Sequence, residues 1–175
     1  MPKFPLLAET DIEVKVKQVR KSGAVLLLYK TARTDMDLLD ATVGPENWTN
    51  DYREIKGNLY CGIAIRASGE PWVWKWDCGI ESRADGDGNE KKGEASDAFK
   101  RAGFRWGIGR ELYTAPFIWI PAEKMTIQGD NNRYRTYDSF RVEKIAYDDK
   151  NNISGLAIWN NSTGKRCFKY FREGT

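Results

Sequence analysis

Hydrophobic and polar residues alternate near the start of the chain with the two-residue period of a half-buried β-strand. Ile12, Val14 and Val16 are separated by charged side chains within residues 12–20. After a short polar turn, the apolar run at residues 24–29 has the length of a second strand. The pattern therefore predicts a β-hairpin.

A helical pattern with clear ends comes next. Apolar residues recur on one face between Met36 and Val43, Thr34 can cap the N-terminus, and Gly44-Pro45 stops the helix. Arg33 immediately precedes this predicted helix. We expect its side chain to contribute to a surface there.

Three further strands are predicted at residues 52–55, 59–66 and 72–77, with turn-forming residues between them. This β-meander leads through a polar loop at residues 82–92 into a second helix. The order β-β-β-α predicts an α+β fold in which a helix packs across an antiparallel sheet.

Beyond Pro116 the chain changes character. A polar, turn-rich stretch at residues 126–136 predicts a loop. Strands are then predicted at residues 139–147, 152–159 and 165–171. We expect residues 1–115 to form the core and residues 116–175 to form a C-terminal β addition to the same domain.

The second helix, within residues 91–107, has two different faces. An apolar stripe at helical spacing is formed by Ala95, Ala98, Phe99, Ala102 and Trp106. Lys100, Arg101 and Phe104 point away from this stripe. Two adjacent cations beside an aromatic ring suit a phosphate backbone with unstacked bases. The alternative is a solvated face on which Asp97 pairs with Arg101.

The amino-acid composition limits the binding and catalytic functions that this chain can have. The 175 residues fit one domain, and a net charge of only +3 means that a nucleic-acid site needs local clustering of cations or pooling between subunits. The absence of histidine excludes Ser-His-Asp and Cys-His catalysis. Three widely spaced cysteines indicate free thiols in a reducing compartment, and no apolar run has transmembrane length. We expect a soluble, cytoplasmic protein.

The sequence contains no convincing metal or catalytic motif. Residues 85–90 hint at a calcium loop, but Glu90 stands where glycine is needed and Ser96 where glutamate is needed. Asp77 and Glu81 could meet in space, yet no second carboxylate pair for Mg²⁺ is evident. We predict that the protein is not an enzyme and uses neither a metal nor a cofactor.

Three motifs occur in a specific order and spacing. They are Gly44-Pro45-Glu46-Asn47-Trp48, Lys92-Gly93-x-x-Ser96-Asp97-Ala98-x-Lys100-Arg101-Ala102 and Gly107-Ile108-Gly109-Arg110-x-Leu112-Tyr113. Together they resemble the Rad-fifty-two-type single-strand annealing proteins, in their bacteriophage and prophage branch. The resemblance covers about residues 25–115.

This resemblance implies single-stranded DNA binding and ATP-independent annealing of complementary strands in recombination and DNA repair. It also implies a homo-oligomeric ring or open helix, acting in a bacterial host cell beside a phage exonuclease or a single-strand binding protein. Two other interpretations remain open. One is a basic scaffold module that docks an acidic protein partner, and the other is a metal-dependent nucleic-acid-processing enzyme.

The resemblance also implies a site. The positions that match the family's inner groove are Arg33, Lys100 and Arg101. Phe104 lies near where the family often carries further charge, and we expect Arg105 to supply that charge, with Lys92 in the same basic cluster.

Lys56, Arg66 and Lys75 lie on the predicted strands or their turns and are candidates for a second, outer DNA site. The alternative for these three is that they are ordinary surface cations.

Overall fold

The computed structural model describes residues 2–80, 90–131 and 133–172, with the side chains of residues 90–92 excepted. The chain forms two compact units. The first comprises Met1–Pro5 and Lys30–Arg110, and the second comprises Leu6–Tyr29 and Glu111–Thr175.

The described residues contain two α-helices and eleven β-strands. In chain order these are β1 (Glu13–Arg20), β2 (Gly23–Tyr29), α1 (Ala32–Val43), β3 (Trp48–Ile55), β4 (Asn58–Ile65), β5 (Val73–Cys78), α2 (Glu90–Trp106), β6 (Ile118–Pro121), β7 (Gln128–Asp130), β8 (Arg133–Arg135), β9 (Phe140–Tyr147), β10 (Ile153–Asn160) and β11 (Lys165–Phe171). No helix in the described ranges is long and apolar enough to cross a membrane.

The first unit is a three-stranded antiparallel sheet, ordered β3-β4-β5, with α2 packed across it. The predicted α+β fold, with its β-β-β-α core and helix on an antiparallel sheet, is confirmed. Alternate residues of β4 supply the sheet side of the core, because side chains along a strand point to opposite faces. The buried cluster includes Leu39, Cys61, Ile63, Ile65, Ala98, Phe99, Ala102 and Trp106.

Helix α2 buries the stripe that the sequence predicts. Ala98, Phe99 and Ala102 are inaccessible to solvent or nearly so. Trp106, one turn further on, donates a hydrogen bond from its indole Nε1 to the Ile63 carbonyl at 2.9 Å. Burying the indole together with its polar atom fixes the C-terminal end of α2 against the middle strand of the sheet.

Helix α1 begins earlier than predicted. Its N-cap is Thr31, whose hydroxyl accepts a hydrogen bond from the Thr34 amide at 3.2 Å. Either threonine has suitable chemistry, but Thr31 has the extended backbone that a cap requires, so Thr34 lies inside the helix. Arg33 is therefore in the first turn of α1 instead of preceding it. The predicted stop is confirmed, since Gly44 is the C-cap with a φ of 87°.

The second unit is built on a six-stranded sheet of order β11-β10-β9-β1-β2-β6. The predicted hairpin of β1 and β2 is present, and so are the three C-terminal strands. However, β1 pairs with β9, and β2 pairs with β6. The predicted boundary at residue 115 thus runs through one sheet, because alternation identifies a strand without identifying its partner.

Three short strands have no counterpart in the sequence prediction. The segment predicted as a loop at residues 126–136 contains the antiparallel pair β7–β8, and β6 lies at the edge of the large sheet. β7 and β8 have three residues each and mostly exposed side chains. The sequences of β7 and β8 have no hydrophobic periodicity from which a strand could be predicted.

Candidate nucleic-acid interface

Asp77, on edge strand β5, lies between two arginines of α2. Its carboxylate oxygens are 3.5 Å from Arg101 Nε and 2.9 Å from Arg105 Nε. Arg101 and Arg105 are one helical turn apart, so both can reach the same strand residue. The Asp77 side chain is 16% exposed, whereas those of Arg101 and Arg105 are 37% and 58% exposed.

The environment of Asp77 favours its charged form. Partial burial raises its pKa, but hydrogen bonds from the Cys78 amide and from Arg105, together with the nearby charge of Arg101, hold the pKa below its ordinary value. Asp77 is therefore ionised at neutral pH. It accepts a hydrogen bond from Arg105, whose side chain stays mostly exposed, and lies beside Arg101, whose Nε is buried and whose side chain is partly exposed.

Two more cations converge on the C-terminal end of α2. Lys75 Nζ donates to the Arg105 carbonyl at 3.0 Å, and Arg110 donates to the carbonyls of Phe104 and Arg105 at 2.6 and 2.9 Å. These carbonyls carry the negative end of the helix dipole, which attracts cations. Burial and the neighbouring charge of Arg110 lower the pKa of Lys75.

We call this group of four cations around Asp77 the β5–α2 cluster. Its members are Lys75, Arg101, Arg105 and Arg110. Asp77 pairs with two of these cations, and the other two contact backbone carbonyls at the end of α2, so the cluster keeps a local positive charge that the net charge of the whole chain conceals.

The opposite side of α2 meets α1 through a buried ion pair. Lys30 Nζ lies 2.6 and 2.5 Å from the two carboxylate oxygens of Asp35, and both side chains are almost fully buried, at 1% and 0% exposure. Lys30 also donates to the Lys100 carbonyl at 3.3 Å and lies 4.2 Å above the Phe104 ring centroid. One lysine thus links both helices.

The close approach of the two helices depends on Gly103. A Cβ atom at this position would overlap Asp35 Oδ2. Burial raises the pKa of Asp35 to about 6, against the opposing pull of Lys30 and Lys100. Asp35 is still ionised at neutral pH, so the pair is a buried salt bridge.

The predicted inner-groove residues do not form one group in the chain. Arg101 and Arg105 belong to the β5–α2 cluster, whereas Lys100 is half-buried near Asp35. Arg33 is exposed on α1, and the spacing of two residues turns it about 200° from Asp35. Arg33 therefore lies on a different face of α1 from the one that meets α2.

Two details of the α2 surface differ from expectation. Phe104 is half-buried beneath Lys30 instead of standing free beside the cations. Arg101 pairs with Asp77 and not with Asp97, whose carboxylate accepts a hydrogen bond from the Ile80 amide at 3.0 Å. Arg101 therefore pairs with a carboxylate on the neighbouring strand instead of one on its own helix.

Other predicted residues are distributed around the sheet. Lys56 is in the β3–β4 turn with a φ of 53°, and Arg66 lies 4.5 Å from the Trp72 ring centroid. Lys75 joins the β5–α2 cluster. The side chain of Lys92, the loop at 85–89 and Glu81 lie outside the described residues.

Sequence reasoning missed Arg110, the buried Lys30 and the role of Asp77 as an anchor for arginines. The spacing of Arg101 and Arg105 was a usable signal, because residues four apart on a helix share a face. Their partner, Asp77 on β5, is brought close by tertiary structure, so no local sequence pattern identifies it. Within the described ranges, no group of three or more cysteine, aspartate or glutamate side chains is placed to hold a metal ion.

Comparison with known proteins found relatives that are similar in sequence to this chain. The chain is 34% identical over 100 residues to the single-stranded DNA-binding protein DdrA of Deinococcus deserti. It is 33% identical over 99 residues to DdrA of Deinococcus radiodurans. Each match covers 57% of this chain.

The chain spans about half the length of these curated relatives, 48% and 46% respectively. No family model matches the chain. No solved structure matches it either. The similarity that these comparisons show is to DdrA proteins.

Proposed function

We propose that this protein binds single-stranded DNA through the β5–α2 cluster and promotes annealing of complementary strands. The observation that carries the proposal is the pairing of Asp77 with Arg101 and Arg105 on one face of α2, where the Arg105 side chain is exposed and that of Arg101 is partly exposed. The similarity to proteins named for single-stranded DNA binding supports the same ligand.

The chemistry of the cluster suits a phosphate backbone. Arg105 donates to Asp77 from Nε, which leaves its terminal nitrogens to fork phosphate oxygens, and Arg101 adds a partly exposed positive charge beside it. Contacts of this kind do not read sequence. A protein that pairs arbitrary complementary strands requires such indifference.

Annealing needs two strands to be held extended with their base edges accessible. A single cluster of four cations covers only a few nucleotides. We therefore propose that several subunits, in a ring or open helix, join their clusters into a longer track. Holding the strands in register reduces the entropy lost on pairing, and neither ATP nor a metal takes part. Arg33 and Lys100 lie outside the cluster and are proposed to contact the same strand.

The test is a salt titration of oligonucleotide binding by fluorescence anisotropy. Arg101→Gln/Arg105→Gln removes both charges and keeps hydrogen-bond donors near Asp77. The matched control is Lys165→Ala/Lys169→Ala, which removes two exposed charges from β11 in the second unit. We expect the first variant to bind more weakly, with a salt slope smaller by about 0.7 per lost phosphate contact, and the control to bind like the wild type.

Annealing is tested separately with a labelled complementary pair in EDTA without ATP. The wild type should accelerate hybridisation, and light scattering should give a mass well above 20.1 kDa. If both double variants bind alike, the cluster is an ordinary solvated surface. If binding is tight but hybridisation is not accelerated, the protein protects strands and does not anneal them.

A further inference from the structure

The sheet of the first unit has a second face, turned away from α2, and its residues are not those of a simple solvated sheet. Cys61, Ile63 and Ile65 of β4 face the helix, so Gly62 and Ala64 face the opposite way. These two residues pair across the sheet with Trp76 and Trp74 of β5. Two large indoles therefore stand over two of the smallest residues.

The small residues let the indoles lie against the strand. A Cβ atom added to Gly62 would be 2.5 Å from the Trp76 indole, so only glycine leaves room for the ring. Trp74 and Trp76 stack on each other, with ring centroids 5.4 Å apart and planes inclined by 20°. Trp74 is 39% exposed. The result is a flat aromatic surface on an edge strand.

Cations surround this aromatic surface. The Arg53 guanidinium lies 4.5 Å from the Trp76 ring centroid and also pairs with Asp51. A groove of about 470 Å³ beside the indoles is lined by Trp74, Lys75, Trp76, Arg105 and Arg110. Asp77 is the carboxylate bound to Arg105 beside this groove. The cations outnumber the two carboxylates, so the groove favours an anionic ligand.

We infer that the groove along β5 is a base-stacking site, in which unpaired nucleotides lie on Trp74 and Trp76 while their phosphates contact Lys75, Arg105 and Arg110. A flat π-system is the ligand group that stacks on exposed indoles, and repeated negative charges are what a row of cations binds. Single-stranded nucleic acid supplies both, whereas the bases of a duplex are already stacked. Stacking uses the faces of the bases and leaves their pairing edges free.

This inference rests on the proposed function, because it adds base contacts to a strand held by the β5–α2 cluster. The first experiment needs no variant. Anisotropy compares oligothymidine with an abasic strand of equal length, which has the same phosphates but no bases. We expect the wild type to bind oligothymidine about tenfold more tightly, a difference typical of base stacking on aromatic side chains.

The second experiment assigns the difference to the indoles. Trp74→Leu/Trp76→Leu should bind both strands equally, with the salt slope of the wild type. The matched control is Trp159→Leu, which removes an indole that also lies beside an arginine, at 5.4 Å from Arg141, but on β10. This control should retain the preference for oligothymidine. Circular dichroism verifies that each variant is folded.

The outcomes separate the two proposals. Equal binding of both strands by the wild type overturns the stacking site and leaves the phosphate site intact. Failure to bind either strand overturns the proposed function. A tryptophan double variant that still prefers oligothymidine to the abasic strand also overturns the stacking site. So does a double variant that changes only the mass in light scattering, because the indoles would then serve another purpose such as contact with a second copy.

Discussion

An ion pair lies on each side of helix α2, and the two pairs differ in their exposure to solvent and in the pKa of their carboxyl groups. Toward α1, Asp35 and Lys30 are sealed from solvent. Toward β5, Asp77 pairs with Arg101 and Arg105, whose side chains are 37% and 58% exposed. The pKa values of the two carboxyl groups move in opposite directions, upward for Asp35 and downward for Asp77.

The difference shows how burial separates the roles of the ion pairs on the two sides of α2. A sealed pair satisfies its own hydrogen bonds and has nothing left for a ligand, so it contributes to helix packing. An open pair is worth little to stability, because water competes with it. Its spare donors remain available to a phosphate.

The largest effect is expected from breaking the sealed pair. Lys30→Met leaves the Asp35 carboxylate buried without its partner, so we expect the free energy of unfolding to fall by about 3–5 kcal/mol. Denaturant melts measure this change. Lys165→Met, at an exposed position on β11, is the control and should change stability by less than about 0.5 kcal/mol. A loss below about 1 kcal/mol in Lys30→Met would show that the pair does not hold the helices together.

A smaller effect is expected from crowding the sealed pair. Gly103→Ala places a methyl group against Asp35 and should cost about 1–3 kcal/mol. Gly93→Ala is a control on the same helix, since nothing lies within 4 Å of its added Cβ. That control should stabilise α2 by about 0.5–1 kcal/mol, because alanine favours helix. Equal changes in the two variants would contradict the close contact between Asp35 and α2.

The two carboxyl groups should give pH dependences of opposite sign. The raised pKa of Asp35 means that the folded state binds the proton more tightly, so its contribution is present below about pH 4 and is lost as the pH rises through about 6. The lowered pKa of Asp77 gives a contribution that is present above about pH 4 and is lost as the pH falls through its folded value.

Melting temperatures measured between pH 3 and 7 test these signs. The difference between wild type and Asp35→Asn should shrink as the pH rises, and the difference between wild type and Asp77→Asn should grow. Parallel curves for the two variants would remove the contrast between the sealed and the open pair.

The smallest effect on stability is expected from the open pair itself. Arg105→Gln removes a half-exposed charge and should change the free energy of unfolding by less than about 1 kcal/mol. The same variant should weaken oligonucleotide binding. A large loss of stability would place Arg105 with Lys30 as a packing residue and would remove it from the proposed DNA surface.

Sequence reasoning was most successful where the structure is local. The stripe from Ala98 to Trp106, the stop at Gly44 and the strands β3, β4 and β5 follow from spacing and turn chemistry. It failed where the answer depends on contacts distant in sequence. Asp35 lies in the first turn of α1, where a carboxylate suits the positive end of the helix dipole, and nothing nearby in the sequence indicates that a lysine five residues earlier is buried against it.

The candidate site shows the same contrast between local patterns, which could be predicted, and contacts distant in sequence, which could not. Arg101 and Arg105 were recognised from the basic helix, but the carboxylate that orients them is on a strand. Sequence reasoning assigned no role to the indoles of Trp74 and Trp76. Their exposure depends on which face of β5 meets α2, and the alternation alone does not choose a face.

The pairing of β1 with β9 has a consequence for how the chain folds. Glu13 and Arg141 are neighbours in the sheet although most of the sequence separates them. Strands β3, β4 and β5 are joined by short turns and make only local pairings, which form quickly. During synthesis, the first hairpin emerges early and its partner late. We therefore expect β3, β4, β5 and α2 to reach their native arrangement while the edge of β1 that pairs with β9 is still unpaired. The chain is then most vulnerable to aggregation between the synthesis of β1 and that of β9.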